Sequence, residues 1–219
     1  MRRIAVVGGH GKVALQLHPL LVERGLQPVA LVRSERYREE LEGLGAEVRL
    51  LDIENSDVDA FEDALRDSDA VVFSAGGGPD GNAERKRTVD LEGSLKSAEA
   101  AARLGVRRFV QVSAINVDRP VADDAPPVWK AYVEAKREAD RALRATDLDW
   151  TILRPGQLTD EPGTGRVTLA EEVPPGPVPR ADVAAVIAAV LGDDRTIGAT
   201  WALVGGDTPI ADAIDQAAA

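Results

Sequence analysis

Short apolar runs alternate along this chain with stretches in which apolar residues recur every three or four positions. The runs are Ile4–Val7, Pro28–Val32, Glu47–Leu51, Ala70–Phe73, Arg108–Val112 and Trp150–Leu153. Most lack polar alternation, which predicts strands buried on both faces of a parallel sheet. Between them, Lys12–Arg24, Arg36–Leu44, Val58–Arg66, Ala83–Leu104 and Val128–Ala145 carry helical periodicity. Gly25 and Gly105 sit where a helix ends and a strand begins. The alternation predicts βαβ units and an α/β fold: a Rossmann-type, doubly wound, mostly parallel sheet with a small C-terminal extension. The stretch Gly156–Pro179 breaks the rhythm, being rich in Gly, Pro and acids, and predicts an excursion with one short strand at Arg166–Leu169. A helix at Ala181–Leu191 and a strand at Thr200–Val204 complete the reading, with no internal repeat at solenoid spacing. Residues 1–219 are expected to form one domain, with 156–179 and 199–219 as its small substrate-side and C-terminal elements.

The first strand runs into Gly8-Gly9-His10-Gly11-Lys12-Val13-Ala14, where a helix starts at once. Gly8 lets the chain turn sharply, Gly11 leaves room for a phosphate against the backbone, and Ala14 lets the helix pack closely on the strand. The free N–H groups of the helix start then favour an anion. The spacing is G-x-x-G-x-x-A, and it points to the pyrophosphate of a dinucleotide. A P-loop is excluded, because it needs glycine where Val6 stands and Ser or Thr where Val13 stands.

Composition narrows the ligand further. A net charge of −11 argues against nucleic acid or an anionic membrane as partner. The absence of cysteine excludes disulfides and thiol chemistry, and two histidines are too few for a His-based metal centre. No segment reads as a signal peptide or membrane span, so a cytoplasmic protein, monomeric or homodimeric, is expected.

Cofactor choice is read at the end of the second strand. Arg33 takes the place where an NAD site carries an acid, and Ser34 follows it. A guanidinium can hold a 2′-phosphate and stack on adenine, which favours NADP (NADPH). Asp52 at the next strand end can accept from the adenine amino group, with Ile53 packing on the ring. Ser74, Ala75 and Gly76 are small enough for backbone to lie along a ribose. His10 and Lys12 stand near the phosphates.

Chemistry is sought further on. Ser113 ends the fifth strand, pointing into the crevice outside the strand ends. Tyr132 and Lys136 follow at i and i+4 on one helix face, and Ala139 and Leu143 continue that stripe inward. Lys136 is expected to lower the Tyr132 pKa, Tyr132 to pass a proton to or from a substrate oxygen, and Ser113 to hold that oxygen. Trp129 stands one turn earlier, near the cleft. Asp118, Asp123 and Asp124 read as a solvated lid edge, and Asp182 as an acid favouring a helix N-terminus.

Together these residues resemble the short-chain dehydrogenase/reductase superfamily, in its atypical, NAD(P)H-binding, NAD-dependent epimerase/dehydratase-like branch. The likeness spans almost the whole chain, from Gly8–Ala14 through Arg33, Asp52, Ser113, Tyr132 and Lys136 to Leu153-Arg154-Pro155-Gly156. It implies NADP-linked reduction, oxidation or epimerisation of a small carbonyl or hydroxyl substrate. It also implies that Pro155, Gly156 and Gln157 touch the cofactor. The cofactor-binding set is then Gly8, His10, Gly11, Lys12, Val13, Arg33, Ser34, Asp52, Ile53, Ser74, Ala75, Gly76, Lys136, Pro155, Gly156 and Gln157. The catalytic set is Ser113, Tyr132, Lys136 and Asp90, with no metal. Asp90 departs from the family, which has Asn there, and only some sixty residues follow Pro155, too few for a large nucleotide-sugar pocket. Two alternatives stay open: an NADP(H)-binding sensor or regulator with little turnover, and a flavin- or quinone-reductase-like activity.

Overall fold

The computed structural model describes residues 1–78 and 81–219. Its parallel strands are β1 (Arg3–Val7), β2 (Gln27–Val32), β3 (Glu47–Leu50), β4 (Ala70–Phe73), β5 (Arg108–Val112) and β6 (Asp149–Pro155). The excursion and the C-terminal part add β7 (Gln157–Thr159), β8 (Arg166–Ala170), β9 (Pro177–Pro179), β10 (Ala199–Gly205) and β11 (Thr208–Pro209). A nine-stranded sheet runs β11-β8-β10-β6-β5-β4-β1-β2-β3, with β8 antiparallel to its neighbours and the rest parallel. Helices α1 (Lys12–Glu23), α2 (Arg38–Gly43), α3 (Val58–Leu65), α4 (Ala83–Arg85), α5 (Gly93–Leu104), α6 (Pro127–Arg144), α7 (Arg180–Val190) and α8 (Ile210–Ala217) flank it. This is the expected Rossmann-like fold.

The unalternating runs have a direct structural cause. Along β1, Ile4 and Val6 enter one apolar cluster with Leu17, Leu21, Val183 and Ile187 from α1 and α7. Ala5 and Val7 enter another on the opposite face, with Phe61, Phe73, Phe109 and Leu143. Both faces are therefore covered, and every position must be apolar. The chain winds outward from β1 through β2 to β3, and from β4 the other way through β5 to β6 and β10. The crevice outside the carboxyl ends of β1 and β4 is the topological switch point where such sheets bind ligands.

Three elements differ from the sequence expectation. The helix expected over Ala83–Leu104 divides into α4, a π-helical stretch Lys86–Glu92 and α5. The wider turn re-phases the side chains, so a 3.6-residue period misplaces Lys86 and Asp90. The excursion holds three strands rather than one, since β7 pairs with β9 in a small separate sheet. Each has three residues, too few to show a period. Strand β11 and helix α8 were not expected. Asp182 serves the excursion more than the dipole of α7. Its buried carboxylate accepts from the Thr164 and Gly165 N–H groups and the Thr164 hydroxyl. Among the described residues no helix is long and apolar enough to cross a membrane, and no group of His, Cys, Asp and Glu could hold a metal ion.

Candidate functional site

The glycine turn leaves the carboxyl end of β1. Gly8 has φ +81°, and a Cβ there would lie 2.8 Å from the Ala75 Cα. A Cβ on Gly9 would lie 2.7 Å from the Ala30 Cα, so both glycines are demanded by backbone packing. Gly11 is the cap of α1, and its own N–H donates to the Gly8 carbonyl at 2.8 Å. The first N–H groups of α1 face the crevice with no side-chain cap. A smooth, Cβ-free turn with free donors fits a pyrophosphate.

His18 was overlooked in the sequence because it reads as one more position on α1. It is fully buried, and its Nε2 donates to the Gly9 carbonyl at 2.7 Å. Burial pushes its pKa below the usual value and keeps the ring neutral, so it ties the turn to the helix that follows.

Beyond the turn lies a cavity of about 240 Å³ lined by Arg33, Tyr37, Asp52, Ile53, Ser74 and Ala75, with Gly8, His10, Gly11 and Gly76 at its inner end. Arg36 stacks over the Tyr37 ring at 4.6 Å. Its guanidinium, with Arg33 behind it, holds the Tyr37 phenol below its usual value. Arg33 and Arg36 thus both act on the Tyr37 phenol, while Asp52 and Glu54 also line the cavity. His10 stacks on Tyr37 with ring centroids 3.7 Å apart and meets Glu40 at 2.7 Å. The Asp52 carboxylate is engaged by the Glu54 N–H and the Asn55 side chain, which hold its pKa down, so it shapes its own turn as well as the cavity wall. Ser34 caps the short helical turn Glu35–Tyr37 and does not line the cavity. Lys12 lies at the turn, where it pairs with Asp160 at 2.6 Å.

An inner cavity of about 350 Å³ joins the turn to the carboxyl end of β5. Lys12, Val13, Ser113, Tyr132, Lys136 and Asp90 line it together. Lys136 is almost fully buried, 3.1 Å from Asp90, and donates to the Val112 carbonyl at 3.2 Å. Asp90 also accepts from the Gly77 N–H at 2.8 Å, locking the glycine run after β4. Burial pushes Lys136 down, but Asp90 and the Tyr132 phenol outweigh it and hold the ammonium above its usual value. Burial pushes Tyr132 up. The pull of Lys136 is opposed by Asp90 and Asp140, and the phenol ends above its usual value. Lys136 does pull this pKa down, as expected, but desolvation outweighs it and Asp90 and Asp140 add to the rise, so the net shift is upward.

Ser113 needs a second correction. Its hydroxyl donates to the buried Asp140 carboxylate at 2.9 Å, and a hydroxyl has one proton. It therefore presents lone pairs to the cavity, not a donor to a carbonyl oxygen. Asp140 also accepts from Gln111 Nε2 at 2.7 Å and Arg154 Nε at 2.9 Å. Burial raises its pKa against the pull of Arg154. Asp118, expected as a solvated lid edge, is exposed and also meets Arg154 at 2.7 Å. Asp140 was legible in principle: it lies four residues after Lys136, an acid on an otherwise buried stripe.

A larger outer cavity of about 1030 Å³ opens beside Tyr132 and Ser113. Pro155, Gly156 and Gln157 floor it, and Trp129, Lys86 and Arg180 stand around it. A Cβ on Gly156 would lie 2.0 Å from the Gly176 carbonyl oxygen, so glycine alone lets the excursion fold across here. The cavity is roomier than the short C-terminal region suggests, because β7 and β9 pair with each other and give it Gln157, Leu158 and Pro177 as one wall.

Comparison with known proteins places these features in a family. A family model described as NAD(P)H-binding matches residues 8–194. The chain is 36% identical over 215 residues to the uncharacterized sugar epimerase YhfK of Bacillus subtilis, covering 98% of this chain and 99% of that one. It is 39% identical to a provisionally named NAD-dependent epimerase/dehydratase of Bacillus halodurans, with a TM-score of 0.92 over 99% of this chain and 100% of that one. It is 30% identical over 211 residues to the (4-alkanoyl-5-oxo-2,5-dihydrofuran-3-yl)methyl phosphate reductase of Streptomyces griseus, covering 92% of this chain and 67% of that one.

Proposed function

The chain belongs to the NAD(P)H-binding, atypical short-chain dehydrogenase/reductase family, and from that membership we propose that it is an NADPH-dependent reductase with Tyr132 as proton donor. The observation that carries the reading is the 3.1 Å pair between Lys136 and Asp90 beside the half-buried Tyr132 phenol. Oxidation or epimerisation starts with a base, and needs tyrosinate near neutral pH. Reduction needs the phenol protonated, and the surroundings of Tyr132 keep it so. When bound, the reduced nicotinamide supplies hydride. Tyr132 delivers the proton to the atom that gains the electron pair. Ser113, its own proton held by Asp140, accepts from a neighbouring N–H or O–H of the substrate. Lys136 and Asp90 hold the phenol and the glycine run after β4 in place. A relative named as a reductase supports this direction, and a relative named as an epimerase supports only the shared use of a nicotinamide.

The Gly8–Val13 turn would hold the pyrophosphate, and Ser74–Gly76 and Lys136 the ribose on the nicotinamide side. Ile53 would pack on the adenine, and Arg33 with Arg36 would hold a 2′-phosphate. NADPH should therefore raise the melting temperature more than NADH at equal concentration. Arg33→Ala should weaken NADPH binding about tenfold or more and leave NADH within twofold, since one charge-assisted contact is worth about 1.5–3 kcal/mol. Equal shifts by both cofactors on the wild type would overturn the NADP assignment. Turnover is sought as NADPH loss against carbonyl, quinone and flavin acceptors. Tight NADPH binding with no turnover on any of them would turn the reading to a cofactor sensor.

A further inference from the structure

We propose that the outer cavity takes an apolar, ring-bearing molecule with one anionic group, the anion being held by Lys86 and Arg180. The inference rests on the reading of this cavity as the substrate side of the site, and adds the class of substrate. Three observations lead to it.

The first is charge. The protein carries −11, yet the charged residues lining this cavity, among those described, are the two cations Lys86 and Arg180. Both also line the inner cavity beside Ser113 and Tyr132, so an anion between them would lie next to the proton donor.

The second is an ammonium with no carboxylate partner among the described residues. Lys86 is 7% exposed. It donates to the Gly78 carbonyl and stands 5.7 Å from the Tyr132 ring centre. No carboxylate among the described residues lies within ion-pair distance of it. Among the described residues a carbonyl dipole and a ring face are what answers this ammonium, and a buried ammonium so answered is costly unless an anion joins it. The π-helical turn places it there, since Lys86 opens that stretch. Arg180 spends one donor on Asp160, at 2.6 Å, and a guanidinium has five.

The third is the walls. Trp129, Tyr132, Ile115, Leu158, Pro175 and Pro177 are among the lining residues, and the wall is mainly apolar. Trp129 is half exposed at the rim and lies 5.5 Å from Tyr132, ring to ring. A large ring left in water beside an apolar cleft suits stacking on another flat, apolar surface. A sugar would find few side-chain partners for its hydroxyls here beyond Ser113, Tyr132, Gln157 and the two cations. The volume of about 1030 Å³ matches a ligand of several rings or a ring with a long apolar tail.

The test uses two fluorescent probes of nearly one shape, 8-anilinonaphthalene-1-sulfonate and the uncharged N-phenyl-1-naphthylamine, titrated into protein saturated with NADP. The anionic probe should bind at one site at least tenfold more tightly than the neutral one. Lys86→Met and Arg180→Met, made singly and together, keep the apolar stems. The pair together should weaken the anionic probe tenfold or more and leave the neutral probe within twofold. Trp129→Ala should weaken both. Competition by 1-naphthoate and by 1-naphthyl phosphate then tells a carboxylate from a phosphate as the preferred anion; displacement by neither overturns the proposal. So does an anionic-probe affinity that ignores both cations, or a neutral probe that binds as well as the anionic one. The NADP-induced rise in melting temperature is recorded on the same samples. If it is present while the probes ignore the cations, only the substrate class fails. If it is absent in the wild type, the cofactor reading itself fails.

Discussion

Tyr132→Phe is expected to lower kcat for NADPH-dependent reduction about 100-fold or more, with NADPH binding unchanged within twofold. The substitution removes one oxygen and its proton and keeps the ring that packs beside Trp129. General acid catalysis by a positioned side chain is worth about 10²–10⁴-fold. The pH profile carries more information than the rate. A proton donor works while protonated, so activity falls as pH rises through its pKa. Burial, aided by Asp90 and Asp140, holds Tyr132 above its usual value against the pull of Lys136, so the rate should stay level through the range where a lowered tyrosine would already fail. Asp90→Asn removes the charge that answers Lys136 and keeps a side chain of the same shape. Lys136 then acts on the phenol unopposed from that side, and the alkaline limb should move to lower pH. A limb that stays in place in Asp90→Asn, or full turnover in Tyr132→Phe, would remove Tyr132 as the donor.

Asp140→Ala should cost about 3–5 kcal/mol of stability, because it leaves the mostly buried Arg154 without its inner partner. For a chain of this size that is a fall in melting temperature of roughly 10 °C. Asp140 is fully buried and binds three groups at once: Ser113, Gln111 and Arg154. The aliphatic stem of Arg154 can be kept while its charge is removed. The double variant Asp140→Ala, Arg154→Met should therefore be less destabilised than the sum of the two single variants. Melting curves of the four proteins give the coupling. A coupling near zero would mean that Asp140 merely fills space, and that Ser113 is oriented by something else. In the wild type, Asp140 acts on the reaction through its hydrogen bond to Ser113 and through its charge near Tyr132.

How far the site was legible depends on whether a feature is local. The turn at Gly8–Ala14 is local: a strand end, a glycine with positive φ and a helix start are set within eight residues. Arg33, Asp52, Ser74 and Ser113 were found because each follows an apolar run that could only be a buried strand, and ligands bind beyond such strand ends. Tyr132 and Lys136 were found because helical spacing puts them on one face. Lys86 was not found. It lies in a π-helical turn that breaks the period on which such readings rest, and its worth comes from a carbonyl and a ring met through the fold. Asp140 was missed although its spacing was regular, because spacing says that an acid is buried and not what answers it. His18 was missed for the same reason.

The sequence by itself determined the doubly wound sheet, the glycine turn between β1 and α1 and the helix face that carries the tyrosine, because those follow from the side-chain periods of strands and helices and from the backbone freedom of glycine. Only the tertiary structure decided the electrostatic state of that face. Asp90 comes from the helix after β4, Asp140 and Lys136 from α6, Ser113 from β5 and Arg154 from β6, and the sheet order brings them together. Whether a lysine lowers a tyrosine's pKa depends on what else lies within a few ångströms and on how much water is left. Here desolvation of the phenol and the carboxylates of Asp90 and Asp140 together outweigh the lysine and hold the Tyr132 pKa above its usual value.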